Sequence, residues 1–287
     1  MSRIAYVNGA YLPHREASVH IEDRGYQFAD GVYEVILIAS GRMIDTGLHL
    51  ARLARSLAEI RIPPPLSPRP LRLVLAEVAR RNRVEEGLLY LQVTRGVARR
   101  EHPFPKLPVR PALIVTARRG PGLPRDIEGW AARAITAPDE RWARCDIKTI
   151  GLLPNVLAKQ AAVSQGAAEA ILLGRDGMVT EGASTSVWIV DAEGTLRTRR
   201  LGPEILPGCT RAALLELLRA AGLRFAERAF SAAELAAARE VFLTSATSYV
   251  RPILAVDGAP VADGKVGPIA RRLFSLFAAH VRGGAAG

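Results

Sequence analysis

The spacing of apolar positions along this chain changes repeatedly, and each change marks an element. Asn8-Gly9 accepts the positive φ angles of a tight turn, so strands over 4–7 and 11–12 predict an opening β-hairpin. The run Val32-Tyr33-Glu34-Val35-Ile36-Leu37-Ile38 is β-branched and aromatic, which predicts a buried strand. Leu50, Leu53, Leu57 and Ile60 recur at helical spacing and predict a helix over 48–60, with Arg52 and Arg55 on or beside its other faces. Pro63-Pro64-Pro65 ends that helix. Leu71, Val74, Leu75 and Val78 predict another helix over 71–81. Strands follow over 88–94 and 112–117, separated by a loop over 95–108.

Arg119-Gly120-Pro121-Gly122-Leu123-Pro124 then interrupts the pattern and predicts an interdomain linker over 119–124. This divides the chain into a domain over 1–118 and a larger one over 125–287. In the second domain a strand over 130–136 precedes a short alternating run, 145–150, which reads as a strand ending at Gly151. A helix over 155–164 follows. Gly174-Arg175-Asp176-Gly177 and Ala192-Glu193-Gly194 predict two hairpins, and Asp257-Gly258 a third. Helices are expected over 211–221, 231–238 and 267–280, a strand over 241–244, and a frayed tail over 283–287. Hairpins mixed with helices, without regular βαβ alternation, predict an α+β fold.

Composition adjusts this picture only slightly. The 287 residues are 49% hydrophobic and 23% charged, enough to bury a core. A net charge of +11 raises the question of nucleic acid. The arginines are scattered in short groups, aromatics are 6%, and neither zinc-finger spacing nor an RNA-binding signature occurs. A basic surface drawing in anionic substrates is the better reading. Two cysteines, Cys145 and Cys209, give no disulfide framework and no metal site, which suits a reducing compartment. No run approaches the roughly 18 apolar residues of a membrane span, so a cytoplasmic protein is expected.

The candidate chemistry starts from lysine. Of 39 basic residues only Lys106, Lys148, Lys159 and Lys265 are lysines. A surface charge works with either residue, but a neutral amine condenses with a carbonyl and a guanidinium does not. Lys148 lies on the alternating run, and Lys159 on the following helix, where a solvated charge is the plainer reading. An enzyme using pyridoxal phosphate needs such a lysine, an anion site, and a carboxylate facing the pyridine nitrogen. Gly208-Cys209-Thr210 at a helix start offers N–H groups to a phosphate, or else an ordinary helix cap. Ser245-Ala246-Thr247 after a strand offers further amides and hydroxyls, or a polar turn. Glu181 ends a strand and is followed by small residues, which leaves room for a flat ring.

Several stretches in order complete the picture: Asp30-Gly31-Val32-Tyr33-Glu34-Val35, His49-Leu50-Ala51-Arg52-Leu53, Gln92-Val93-Thr94-Arg95-Gly96 with Arg100 and His102, Cys145-Asp146-Ile147-Lys148, Leu157-Ala158-Lys159-Gln160, Thr180-Glu181-Gly182 and Gly264-Lys265-Val266-Gly267. On these the chain resembles the fold-type-IV pyridoxal phosphate aminotransferases, and within them the D-amino acid aminotransferases. The resemblance implies a two-domain enzyme with a small α/β N-terminal domain and a larger pseudo-barrel domain. It implies pyridoxal 5'-phosphate as cofactor, held covalently by Lys148, with Glu181 on the pyridine nitrogen and Leu206 against the ring. Arg52, Thr210, Ser245 and the amides of Cys209 and Ala246 are implied around the phosphate. Tyr33, Arg100 and His102 match the grip on the substrate α-carboxylate, the last two supplied by a partner subunit, so a homodimer is implied.

Ala183, Ser186 and Ala246 depart from the family's hydroxyl and asparagine residues, which implies weaker cofactor retention. The expected substrates are D-amino acids and 2-oxo acids, with no membrane or nucleic-acid partner. Other activities of the fold are branched-chain L-amino acid or (R)-amine transamination and aminodeoxychorismate lysis. Tyr33-Glu34-Val35 and the Arg100-x-His102 loop argue against the branched-chain reading.

Overall fold

A computed structural model describes residues 3–283, so the predicted tail lies almost wholly outside the described residues. The chain folds as two compact units. One comprises everything up to Gly122 together with Ile147–Gly151; the other comprises Leu123–Asp146 and everything from Leu152 onward.

The first unit runs β1 (Ile4–Val7), β2 (Ala10–Pro13), α1 (Arg24–Phe28), β3 (Gly31–Ala39), β4 (Arg42–Met43), α2 (Thr46–Glu59), α3 (Pro68–Arg81), β5 (Gly87–Thr94) and β6 (Ala112–Arg119). Its strands form one antiparallel six-stranded sheet in the order β2-β1-β6-β5-β3-β4. Val32, Ile36, Leu89, Leu91, Val93 and Val115 are fully buried and meet Leu53 and Leu57 of α2 and Leu71, Leu75 and Val78 of α3. Each such aliphatic side chain contributes roughly 1.5–3 kcal/mol on leaving water. The predicted α3 stripe is the one that packs. On α2 the expectation for Arg52 fails: Thr46, His49, Arg52 and Ser56 share the buried face with Leu53 and Leu57. Positions three and seven residues apart lie on one side of a helix, and Glu34 of β3 gives the charged members of that row a partner.

The run 145–150 is not a strand. It makes one isolated bridge, Thr149 with Val32, flanked by two hydrogen bonds: Tyr33 N–H donates to Lys148 O (3.0 Å) and Ile150 N–H to Gly31 O (3.1 Å). β4 pairs only with the Ile38–Ala39 end of β3, so this short segment covers the other end of that edge. Alternation in the sequence marked the pairing but overstated its length.

The second unit contains α4 (Ile127–Trp130), β7 (Ala132–Pro138), α5 (Leu153–Ser164), β8 (Glu169–Leu173), β9 (Val179–Gly182), β10 (Ser186–Val190), β11 (Leu196–Thr198), α6 (Cys209–Ala220), β12 (Phe225–Glu227), α7 (Ala232–Ala236), β13 (Glu240–Ser245), β14 (Tyr249–Val256), β15 (Ala259–Pro260) and α8 (Pro268–Arg282). Its sheet has nine strands, β12-β11-β10-β13-β14-β7-β8-β9, with β15 beside β14. β7 and β8 are parallel across α5, and β11 and β12 are parallel across α6. The three predicted hairpins are present as β8–β9, β10–β11 and β14–β15.

Five steps along the sheet separate β10 from β9, about 24 Å if it were flat. The chain passes from Gly182 to Ser186 directly, and four residues reach at most about 14 Å. The sheet therefore curls on itself, giving the barrel-like domain the resemblance implied. Glu181 sits on β9 at that closure, and Gly182 N–H donates to Thr185 O at 2.7 Å.

Candidate active site

Lys148 is fixed at its backbone from both sides. Its N–H donates to Ser56 Oγ at 3.3 Å, and its carbonyl accepts from Tyr33. Its Nζ stands 4.2 Å from the centroid of the Tyr33 ring, on a face that attracts a cation. Tyr33 in turn lies 5.7 Å from the Tyr90 ring. Burial, with a smaller contribution from Tyr33, pushes the Tyr90 hydroxyl up to about 12. The structure thus brings together Lys148 and Tyr33, two of the predicted residues. Lys159 has a different fate: its Nζ donates to Ala168 O (2.5 Å) and to the buried Glu169 (3.1 Å), so it is committed to the fold.

Arg52 belongs to the same unit as Lys148 and Tyr33 but is held by other residues. Glu34 accepts two bonds from its guanidinium, from Nε and Nη2, both at 2.7 Å, and a third from His49 Nδ1 at 2.7 Å. Burial alone would raise the Glu34 pKa; the bonds and charges of Arg52 and His49 outweigh it and hold the carboxyl at about 2, against an ordinary 4.5. A depressed pKa stabilises the fold above the unfolded value and loses that contribution as pH falls through the folded one. The window is therefore pH 4.5 down to 2, and the contribution is about 3 kcal/mol. Glu34→Gln is expected to be less stable than the parent at pH 6, with the difference narrowing below pH 4. Denaturant titrations at pH 6, 4 and 2.5 measure this, and parallel losses in both proteins would contradict it.

In the second unit Glu181 accepts from Leu206 N–H at both carboxylate oxygens, 3.2 and 3.1 Å, and from the Arg141 guanidinium. Leu206 is thereby placed against Glu181. Arg141 also forks onto Asp139 (2.9 and 2.7 Å) and reaches Glu204 O at 3.1 Å. Two carboxylates face one guanidinium, so these three side chains together carry a net negative charge. Burial opposes the charge on Asp139, but bonds from Arg141 and Thr180 hold its pKa below the ordinary value. Burial likewise opposes charge on Arg141, and Asp139 and Glu181 keep it firmly protonated. Nearby Cys145 is pushed up to about 11 by burial, with carboxylates adding to the effect, so its thiol stays neutral. Nothing in the residue pattern pointed to Arg141: in a chain that uses arginine almost everywhere, one more arginine carries no signal.

Gly208 is the N-cap of α6, so the cap position itself has no side chain to take the first-turn N–H groups of that helix. Cys209 and Thr210 open the helix and are buried. A Cβ on Gly208 would meet Ser186 Oγ at 2.9 Å, so any larger residue would have to displace that hydroxyl. Ser186 pairs with Thr244 across β10–β13, which brings Ser245 and Ala246 to the same end of the sheet. The Ser245 hydroxyl is occupied in its own turn, accepting from Thr247 N–H (3.3 Å) and Ser248 N–H (3.0 Å). The donor set suits an anion with several oxygens, and Glu181 suits a protonated ring nitrogen.

Arg100 and His102 lie in the exposed loop after β5, both against the Phe28 ring: the Arg100 guanidinium at 5.1 Å and the His102 ring at 5.6 Å.

Residues 31–256 match the family described as amino-transferase class IV. The chain is a class IV aminotransferase. This aminotransferase is 43% identical over 267 residues to a D-alanine aminotransferase of Bacillus licheniformis, covering 93% of each chain. It is 41% identical over 278 residues to that of Listeria innocua serovar 6a, covering 96% of this chain and 95% of the relative. Among solved structures, a branched-chain amino acid aminotransferase of T.th. with pyridoxamine 5'-phosphate superposes with a TM-score of 0.88 at 26% identity, over 99% of this chain and 95% of that one. A hypothetical aminotransferase from Mycobacterium tuberculosis in its pyridoxal phosphate-bound form gives 0.82 at 27%, over 97% and 98%. Class IV aminotransferases work with pyridoxal phosphate, and the donors at Gly208–Thr210 and the carboxylate of Glu181 fit that cofactor.

Proposed function

We propose that this aminotransferase moves the amino group between D-amino acids, D-alanine and D-glutamate among them, and 2-oxo acids. The observation that carries the reading is identity of 38–43% to D-alanine aminotransferases over more than nine-tenths of the chain. The T.th. branched-chain enzyme shares the fold at 26% identity.

Pyridoxal phosphate, when bound, supplies a conjugated ring that takes up the electron pair released as the substrate Cα–H bond breaks. Lys148 holds the cofactor and its Nζ moves the Cα proton. Glu181, with the net negative charge of its cluster, keeps a proton on the ring nitrogen. The α6 amino end with Cys209 and Thr210, the Ser245-Ala246 turn and Arg52 hold the phosphate, and Glu34 fixes one edge of the Arg52 guanidinium. Leu206 supports the ring. Tyr33, Arg100 and His102 grip the substrate carboxylate; paired charge-assisted bonds from an arginine fix its orientation and so decide which hand of amino acid presents its Cα proton to Lys148.

The enzyme acts as a homodimer in this reading. Ile21 and Tyr26, and Val97, Phe104 and Leu107 of the Arg100 loop, are exposed on segments joined by the hydrogen bonds Arg24 N–H to Gly96 O and Ala98 N–H to Glu22 O. Exposed apolar side chains on adjoining segments suit burial against a second copy. A cytoplasmic location is in keeping with two buried cysteines, Cys145 and Cys209, that are not joined as a disulfide.

D-Alanine with 2-oxoglutarate is expected to yield pyruvate, with L-alanine at least about 100-fold slower in a lactate dehydrogenase-coupled assay. Preference for L-leucine would replace this reading by the branched-chain one.

A further inference from the structure

The loop carrying Arg100 and His102 forms no helix or strand, and its residues 99–104 are exposed. Loops of this kind are ordinarily the mobile part of a protein. Here the main chain is gripped from beneath. Arg24 is 3% exposed, and its Nη1 donates to Glu101 O at 2.6 Å and its Nη2 to His102 O at 3.3 Å. Its Nε donates to Asp30 at 2.8 Å. The same carboxylate takes a fork from Arg95, at 2.7 and 2.9 Å. Arg95 reaches back to the carbonyls of Ile60 (2.7 Å) and Arg61 (3.1 Å) and stacks on Phe104 at 3.8 Å. One half-buried carboxylate therefore sets two guanidiniums, and each holds a different point of the loop.

The support itself is keyed to the sheet. Asp23 caps α1 by accepting from Gly25 N–H (2.8 Å) and accepts the Thr94 hydroxyl (2.9 Å) through its other oxygen. Arg24 N–H donates to Gly96 O at 2.9 Å, and Arg95 N–H to Asp30 O at 3.0 Å. A Cβ on Gly25 would fall 2.2 Å from the Thr94 methyl, so the turn closes only with glycine. Phe28, at the end of α1, carries Arg24, Arg100 and His102 around its ring.

We propose that Arg24, anchored by Asp30, is the positioning residue of the carboxylate grip: by holding the carbonyls of Glu101 and His102 it sets where the Arg100 and His102 side chains stand. This rests on the reading of those two residues as the substrate's carboxylate partners. A lysine cannot replace it fully, because only a guanidinium offers a planar fork to two carbonyls and a carboxylate together. Both substrates of the reaction, D-amino acid and 2-oxo acid, carry the same carboxylate. Loss of the clamp therefore weakens capture of both and leaves the proton transfer at Lys148 intact once substrate is bound.

The test compares the holoenzyme with Arg24→Met and Arg24→Lys. Arg24→Met is expected to raise KM for both D-alanine and 2-oxoglutarate about tenfold or more, with kcat within about threefold. Amide exchange over 97–108, followed by mass spectrometry without substrate, is expected to speed up in the same variant. Arg24→Lys, which keeps the charge and one bond, is expected to fall between, and it carries the comparison if Arg24→Met does not fold. Faster exchange with unchanged KM would overturn the positioning role, as would equal falls in kcat and kcat/KM. A parent enzyme inactive on every D-amino acid would overturn the functional reading, and the positioning role with it.

Discussion

Lys148→Ala is expected to lose transamination by roughly four orders of magnitude or more, because the proposed function has one side chain both hold the cofactor and move the proton. The variant is also expected to lose fixation of pyridoxal phosphate to the chain by borohydride, read as mass on a peptide containing residue 148. Lys159→Ala is the informative control. Its ammonium bonds to the Ala168 carbonyl and to Glu169, whose side chain is 2% exposed. Removing it leaves a buried carboxylate with less compensation, so a lower Tm is expected with fixation at Lys148 retained. Cofactor mass appearing at residue 159 in the parent protein would reverse the assignment.

Glu181→Gln is expected to slow turnover by about 10²–10³-fold, the usual cost of removing one preorganised charge from a reacting centre. The reason lies in the charge count of its cluster. Asp139 and Glu181 share the single positive charge of Arg141, so one negative charge is left over, which the proposed function assigns to the cofactor's ring nitrogen. With glutamine there, the Asp139–Arg141 pair is neutral and nothing favours a proton on the ring nitrogen. The cofactor's visible absorption band in the loaded protein is expected to move with the loss of that proton. A variant with parent-like turnover and spectrum would show that Glu181 serves only to hold Leu206 and Arg141.

Much of this fold is legible in the residue pattern, and the illegible parts share a cause. The stripe Leu71, Val74, Leu75, Val78 announces α3 because it faces a single apolar layer. The turns at 174–177, 192–194 and 257–258 announce hairpins through local backbone demands. Arg52, Arg24 and Arg141 are not legible for the opposite reason. Each is held by a carboxylate outside its own helix or loop turn: Arg52 by Glu34, Arg24 by Asp30, and Arg141 by Glu181 with nearby Asp139. A periodicity argument assigns arginine to water, and only tertiary pairing brings it inside. α1, of five residues, is too short to show a period at all. Its N-cap Asp23 and the following Gly25 were the available signals. Of the candidate residues, Tyr33 with Lys148 and Glu181 with Leu206 are brought into contact, while Ser245 is drawn into its own turn.

The five residues Ile147–Gly151 belong to the first unit although both flanking stretches belong to the second. A gene fragment stopping at Gly122 would therefore encode an incomplete body, with Val32 and Tyr33 stripped of their cover and open to self-association. Split-protein designs and insertions of reporter domains should accordingly respect three crossings of the polypeptide rather than one. Anyone wishing to express that half by itself must add the pentapeptide behind residue 122 through a tether long enough to run from the Ile38 end of β3, where β6 finishes, to the Tyr33 end.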